Sequence, residues 1–386
     1  MTDFKTLSRQ PRWPASHPPP MAPRPYGTLA VLGGGAWGTA LAVVAARAGC
    51  AVRLWLRDAA RAAEIARTRR NAARLGDIPL PDGIAPTSDL AAALDGAGAV
   101  LLVTPSPTIR EMAGRMGALA AHEVPLFVSA KGIEAGTGLM MSVVAQEAAP
   151  GRVIGVVSGP TFADETAAGH PTAATVACAA GPGVPPHARP GARMAASLTC
   201  HSFRPYVSDD MAGVEVGGAV KNVVAIACGM LAGAGFGENT RAALITRGLD
   251  EMKELAVRLG GRRETVTGLS GLGDLMLTCS SPKSRNFRYG FARGEGRSDA
   301  EAFGGAPVLV EGRHNAVTVT DLSRRLGLHM PICEMVRAVV AGGRPIGEAF
   351  AAFWAAPIQA EPRALDLAFP HPAEAEVTRR FEALLP

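Results

Sequence analysis

Between Thr28 and Cys178, short apolar runs alternate with longer segments whose apolar residues recur every three to four positions. The runs Thr28–Leu32, Ala51–Arg57, Ala99–Thr104, Leu126–Ser129 and Arg152–Val157 predict buried strands, as does Thr172–Cys178. The Ala-rich stretches between them predict helices, beginning with Ala36–Ala48. That alternation belongs to βαβ units feeding a parallel sheet. After about Ser208 the texture changes. Asp209–Leu231 and Glu238–Leu259 read as long helices, shorter helical stretches follow to Ala355, and strand patterning almost vanishes. The apolar stretch Val216–Gly235 carries Lys221 and Asn222 and is rich in glycine, which predicts a buried helix and no membrane span.

Composition narrows the function classes. A chain of 386 residues with 48% hydrophobic content supports two domains with sizeable cores. Aromatics are only 5% while glycines number 45, which suits close backbone approach and argues against an aromatic nucleic-acid platform. The net charge of +5 favours anionic small molecules but is too diffuse for DNA, so no nucleic-acid partner is expected. Cys50, Cys178, Cys200, Cys228, Cys279 and Cys333 form no CxxC pair and read as free thiols in a reducing compartment. The eight histidines lack HxxH or HxxxH spacing, so no metal site is expected.

The first chemical signal is Gly33-Gly34-Gly35-Ala36-Trp37-Gly38, directly after a predicted strand and opening a predicted helix. It fits G-x-G-x-x-G at Gly33, Gly35 and Gly38. Glycines there permit the tight turn, let backbone approach a pyrophosphate, and seat the helix on the sheet. About 20 residues beyond stand Arg57, suited to the 2′-phosphate of NADPH, and Asp58, suited to the ribose 2′-hydroxyl of NADH or simply to capping the next helix. The expected fold is therefore α/β, an N-terminal Rossmann-type doubly wound sheet followed by an all-α C-terminal domain. Its parts read as a disordered Pro-rich extension (1–26), a dinucleotide-binding domain (27–207), a helical substrate domain (208–356) and a tail (357–386). The extension holds seven prolines and no apolar signal-peptide core; the tail holds one amphipathic stretch, Glu374–Leu385.

Further candidates follow the predicted strand ends and the helices. Lys131, in Ser129-Ala130-Lys131-Gly132, can aim a cation at a phosphate or hydroxyl, or remain a solvated loop lysine. In Ser158-Gly159-Pro160-Thr161-Phe162-Ala163-Asp164-Glu165, Thr161 and Asp164 have capping-box spacing, which predicts a helix start with Gly159 and Thr161 facing a cleft. Lys221 and Asn222 are the polar pair in Gly217-Gly218-Ala219-Val220-Lys221-Asn222-Val223-Val224-Ala225-Ile226; the two glycines would leave room for a ligand. A lysine desolvated in such a helix has a lowered pKa suited to proton transfer. Asp274, after Gly268, Gly271 and Gly273, is an acid able to reach it, and Ser284, Arg285 and Asn286 suit phosphate oxygens.

Taken in order, these segments are specific. Together with Ala243–Leu249, Gly271–Leu275 and Val310–Gly312, they make the chain resemble the bacterial NAD(P)-dependent glycerol-3-phosphate dehydrogenases over roughly residues 27–345. The resemblance implies reversible reduction of dihydroxyacetone phosphate to sn-glycerol 3-phosphate, a phospholipid precursor, with NADPH or NADH in the cytoplasm. It assigns proton transfer to Lys221 with Asp274 in support. Substrate contacts fall to Lys131, Gly159, Thr161, Arg285 and Asn286. Ala36, Trp37, Arg57, Lys131, Ala163, Arg285, Leu309 and Glu311 would line the cofactor site. A homodimer is the default assembly. Family members often carry Ser then Phe or Tyr where this chain has Ala36 and Trp37, so one phosphate-binding hydroxyl is missing here. The alternatives are a β-hydroxyacid or 6-phosphogluconate dehydrogenase, which also places a lysine on the helical domain, and a catalytically silent dinucleotide sensor.

Overall fold

The computed structural model describes residues 21–179, 181, 183–305, 308–361 and 367–384. The first 20 residues of the Pro-rich extension therefore lie outside the described residues, as does Leu385 of the tail. The α/β half begins β1 (Thr28–Leu32), α1 (Ala36–Arg47), β2 (Ala51–Trp55), α2 (Ala59–Thr68), α3 (Ala72–Leu75) and β3 (Ile84–Thr87). It continues α4 (Leu90–Leu94), β4 (Ala99–Leu102), α5 (Ile109–Leu119), β5 (Leu126–Val128), α6 (Met141–Ala148) and β6 (Ile154–Ser158). It closes with α7 (Ala163–Ala168), β7 (Thr172–Cys178), α8 (Pro190–Leu198) and β8 (Phe203–Ser208).

These strands form one sheet in the order β3-β2-β1-β4-β5-β6-β7-β8. β1 pairs in parallel with both β2 and β4, so the winding reverses beside it. Ligands in such sheets sit outside the carboxyl ends at that reversal. Strands β1, β4, β5 and β6 carry the longest apolar runs because helices cover both faces; Leu29–Leu32, Ala99–Leu102 and Leu126–Val128 have no exposed surface.

Three features depart from the sequence reading. β3 and β8 were not expected, and both are the outermost strands of the sheet. Each contains a proline, Pro86 or Pro205, and β8 exposes Arg204, Tyr206 and Val207. An edge strand needs neither a full hydrogen-bond ladder nor two buried faces, so it lacks the apolar run that betrays a central one. The sheet is also not wholly parallel: β7 runs against β6, with β8 parallel to β7. β6 and β7 are joined through the six-residue α7, and the chain re-enters the sheet from the end at which β6 leaves it. Finally Tyr26, placed by sequence in the extension, is buried in the sheet's core, its amide donating to Ser197 Oγ at 2.7 Å.

The helical C-terminal domain is built around α9 (Met211–Gly233), packed by α10 (Glu238–Arg258), α11 (Arg263–Val266), α12 (Asp274–Ser280), α13 (Arg285–Gly294), α14 (Glu311–Arg325) and α15 (Pro331–Val340). α9 is long and apolar enough to cross a membrane, yet 89% of its most apolar window is buried inside this fold. An apolar surface on all sides is what a central helix needs. α16 (Ile346–Trp354) follows, then the tail pairs β9 (Ile358–Gln359) with β10 (Ala368–Phe369) and ends in α17 (Glu374–Leu384). Phe381 of α17 packs edge-on against Phe350 of α16, with ring centroids 5.1 Å apart.

The α9–α13 contact fixes the site's geometry. Gly229 and Gly233 face Gly290 and Gly294, a spacing of four on each helix, so backbone meets backbone. A Cβ at Gly290 would stand 2.2 Å from Ile226 O, and one at Gly229 would stand 2.1 Å from Phe287 O. Gly290→Ala should therefore destabilise the protein by about 1–3 kcal/mol through overpacking. Gly114→Ala, in α5 with only Ala148 O at 3.7 Å from the new carbon, should be neutral or stabilise by up to about 1 kcal/mol. Denaturant titration of both variants checks this; equal responses would contradict the backbone crossing.

Candidate active site

The glycine turn is assembled as its sequence requires. Gly33 has φ 129°, and a Cβ there would lie 2.7 Å from Val103 O; one on Gly38 would lie 1.9 Å from Gly33 O. Gly35 instead faces open space, so the backbone there is approachable. Gly35 is also the N-cap of α1 and offers no side-chain cap, and the first turn of α1 carries no acid. Unsatisfied N–H groups with a positive dipole end make this a place for phosphate. Ala36 and Trp37 pack with Ala163 and Ala167 of α7, so two expected cofactor-lining positions and Ala163 meet in one cluster.

A continuous floor joins this turn to the lysines. Gly33 abuts Val103 and Thr104, and Gly132 lies against Ser106 Oγ and Asn315 Oδ1. Asn315 of α14 donates from Nδ2 to Lys131 O at 3.2 Å and to Ala219 O of α9 at 3.0 Å. It thereby ties the segment carrying Lys131 to the helix carrying Lys221.

At the far end of that floor, Asp274 lies between two lysines. Its Oδ1 accepts from Lys221 Nζ at 2.5 Å and its Oδ2 from Lys131 Nζ at 2.7 Å. Asp274 is 1% exposed, Lys221 8% and Lys131 16%. Lys131 Nζ also reaches Gly159 O at 3.4 Å. Burial pulls the Lys221 pKa down to about 8; Asp274 opposes that fall while the charge of Lys131 adds to it. Burial pushes the Asp274 carboxyl up, but the Lys131 and Lys221 ammoniums outweigh it and hold the group below its usual range. Both lysines therefore face an ionised carboxylate at neutral pH.

Sequence reasoning missed one member. Thr278 Oγ1 accepts from Lys221 Nζ at 2.9 Å, giving the ammonium a second fixed acceptor. Asp274 and Thr278 stand four apart on α12, a spacing that puts them on one face, and this was the available signal.

Other expected positions are corrected. Gly217 and Gly218 do not leave room for a ligand: a Cβ on Gly217 would lie 2.3 Å from Ser270 O, and one on Gly218 lies 3.1 Å from Lys131 Cγ. They instead admit the π-turn Leu269–Gly273, which delivers Asp274, and the stem of Lys131. The capping box does not form, because α7 starts at Ala163 with Phe162 as its uncapped N-cap, while Thr161 Oγ1 turns back to Gly159 O. Asp58 caps α2, accepting from Arg61 N at 3.2 Å, and Arg57 beside it is exposed. Ser284 caps α13 by accepting from Phe287 N. Asn286 donates to Asn222 Oδ1 at 2.8 Å and accepts from Gly312 N at 2.9 Å, and Asn222 donates in turn to Glu311 Oε2 at 3.4 Å. Arg285, the first residue of α13, is exposed, and Leu309 is exposed just before α14.

Of the nine buried side-chain polar atoms without a hydrogen-bond partner among the described residues, six belong to residues of these segments or next to them: Trp37 Nε1, Thr104 Oγ1, Ser129 Oγ, Ser158 Oγ, Ser270 Oγ and Asn315 Oδ1. Leaving such a group unpaired costs roughly 1–3 kcal/mol, so their concentration here fits a site that receives polar ligands.

A glycine turn at the reversal of a doubly wound sheet, opposite a helical domain presenting a buried lysine, defines a dinucleotide-dependent dehydrogenase architecture. The comparisons make this specific. The chain belongs to the NAD-dependent glycerol-3-phosphate dehydrogenase family, whose N-terminal model matches residues 28–181 and whose C-terminal model matches residues 210–351. It is 45% identical over 333 residues to the glycerol-3-phosphate dehydrogenase [NAD(P)+] of Rhodospirillum rubrum, covering 86% of this chain and 93% of that one. Identity to the Methylobacterium radiotolerans protein of the same name is 47% over 332 residues, covering 86% and 97%. The crystal structure of glycerol-3-phosphate dehydrogenase from Coxiella burnetii superposes with a TM-score of 0.79 at 36% identity, covering 85% of this chain and 98% of that one.

Removing Asp274 leaves two neighbouring ammoniums without their carboxylate. Asp274→Ala should cost about 3–5 kcal/mol of stability, the range for breaking a buried ion pair by deleting one partner. Urea unfolding near pH 7 measures it. A variant as stable as the parent would mean the lysines do not depend on this carboxylate.

Proposed function

We propose that this chain reduces dihydroxyacetone phosphate to sn-glycerol 3-phosphate, reversibly, with NADPH or NADH as hydride partner. One observation carries the reading: a buried lysine with lowered basicity, held by Asp274 and Thr278 at the carboxyl ends of the strands. The residues present fit a dinucleotide, since Gly35 faces open space and α1 begins without a cap or an acid. The Gly33–Gly38 turn and the start of α1 would hold its pyrophosphate, Arg57 its adenosine ribose, and Ala36, Trp37, Ala163, Leu309 and Glu311 would line it. When bound, the nicotinamide ring supplies a hydride to the substrate's C2 carbon.

The chain's own part is proton transfer and orientation. Lys221, as the ammonium, donates a proton from Nζ to the C2 oxygen when the carbonyl is reduced, and accepts it back in the oxidation. Asp274 and Thr278 fix the direction of that Nζ. Lys131 and Arg285 bind the phosphate, with Gly159, Thr161 and Ser284 at the edges of the same cleft; Asn286 keeps the start of α13 in place. Binding energy from the phosphate is thus spent on orienting a carbon several bonds away. Six free thiols accord with the cytoplasmic location that this reading includes.

The test is oxidation of NADPH on addition of dihydroxyacetone phosphate, followed by the Lys221→Ala variant. Loss of the general acid should lower kcat by about 100- to 10,000-fold while NADPH binding survives. A variant keeping a third of the parental kcat would overturn the assignment. The pH profile gives the sign independently. Reduction needs the ammonium, so kcat/KM for reduction should hold below the Lys221 pKa of about 8 and fall above it. Oxidation needs the free amine and should rise towards that same pH.

A further inference from the structure

The glycine turn is braced from within by a residue outside the site described so far. Asn71, the N-cap position of α3, is 2% exposed. Its Nδ2 donates to Gly34 O at 3.1 Å and to Thr39 Oγ1 at 2.8 Å, and that hydroxyl donates onward to Gly35 O at 2.8 Å. One buried amide therefore governs two carbonyls of the phosphate-binding turn. Its remaining atom, Oδ1, accepts from a guanidinium NH2 of Arg61 at 3.1 Å.

Arg61 is the third residue of α2 and stands four positions beyond Arg57. It is half-buried, and among the described residues only the NH2 of its guanidinium is engaged. Between these two cations, the carboxylate of Asp58 is turned into α2, where it caps Arg61 N. The acid that would read an unphosphorylated ribose is thus occupied by the helix. Arg57 follows the end of β2 and Arg61 lies in the first turn of α2, the region of a doubly wound sheet that reads a dinucleotide's adenosine ribose, and Arg61 is tied through Asn71 to the glycine turn. A guanidinium held at one corner keeps its other N–H groups in a set plane, the arrangement that grips phosphate oxygens in pairs.

We propose that Arg61, positioned by Asn71, is a second cationic contact to the 2′-phosphate of NADPH and sets the preference for it together with Arg57. The proposal rests on the dinucleotide reading above, but its test needs no turnover. A pure strut between α2 and Asn71 requires only a neutral donor, whereas a phosphate contact requires the charge. Arg61→Gln can supply the first and not the second.

The experiment measures binding of NADPH, NADH, adenosine 2′,5′-bisphosphate and ADP to the full chain by quenching of tryptophan fluorescence. Both Arg61→Ala and Arg61→Gln should weaken NADPH and adenosine 2′,5′-bisphosphate by about 10-fold or more, with NADH and ADP changed less than about twofold. Arg57→Ala with Arg61→Gln should weaken the phosphorylated pair further. If Arg61→Ala weakens all four ligands alike and Arg61→Gln restores them, Arg61 is a strut and the proposal falls. It falls equally if neither variant changes binding, or if the parent chain does not prefer the 2′-phosphorylated ligands. Should Arg61→Ala fail to fold, Arg61→Gln alone decides. A parent that binds NADPH with this preference but does not oxidise it with dihydroxyacetone phosphate would overturn the proposed reaction and leave this inference standing.

Discussion

The carboxylate of Asp274 is the group on which the site depends. It is almost wholly buried, it neutralises one of two ammoniums, and those ammoniums come from different halves of the molecule. Lys131 arrives from the segment after β5, Lys221 from the centre of α9, and Asp274 from the turn that opens α12. No two of these share local sequence, so their meeting is a property of the whole fold. An isolated charge could not be kept there, because desolvation would outweigh it. The three together are sustainable, and each lysine keeps its position through the same acid.

What makes that meeting geometrically possible is the absence of side chains at selected points. Gly217 admits the carbonyl of Ser270 and so brings the turn before Asp274 onto α9. Gly218 admits the stem of Lys131 from the sheet domain. Further along α9, the crossing with α13 sets Asn286 beside Asn222. The helix carrying Lys221 is thus gripped at three levels, by backbone at Gly217 and at the α13 crossing and by the Lys131 stem at Gly218. Close packing of this kind is stiff, which is the mechanical requirement for holding the Lys221 ammonium at a fixed point.

Much of this was legible in sequence, and what was not has identifiable causes. The central strands announced themselves because both faces are buried, and the glycine turn because its spacing sits between a strand and a helix. The edge strands β3 and β8 gave no such run, since an edge tolerates Pro86 and Pro205 and leaves side chains such as Arg204, Tyr206 and Val207 exposed. The lysine of α9 stood out as a charge in an apolar helix, and so did the acid after the glycines. The glycines beside that lysine were legible as small residues but not as to what fills the space: an absent side chain does not say whether backbone or ligand approaches. Thr161 had the spacing of a cap without becoming one, because the helix begins two residues later, with Phe162 at the N-cap position. Asn71, Asn315 and Thr278 lie in segments with ordinary periodicity, and their partners are distant in sequence except for the Asp274–Thr278 pair.

The charge balance of the cluster bears on what it can accept. Two ammoniums and one carboxylate leave a net positive charge in a partly dehydrated pocket, and burial together with Lys131 pulls the Lys221 pKa down to about 8. An anion brought alongside acts in the opposite direction. On the proposed reading, a phosphorylated substrate therefore offsets the strain that lowers the basicity of Lys221, and does so chiefly through Lys131, the more exposed of the pair. A neutral analogue would leave that strain in place and would also forgo the anchoring that orients its carbonyl. In that reading, the same charges that hold Asp274 ionised make phosphate recognition and proton transfer parts of a single electrostatic arrangement.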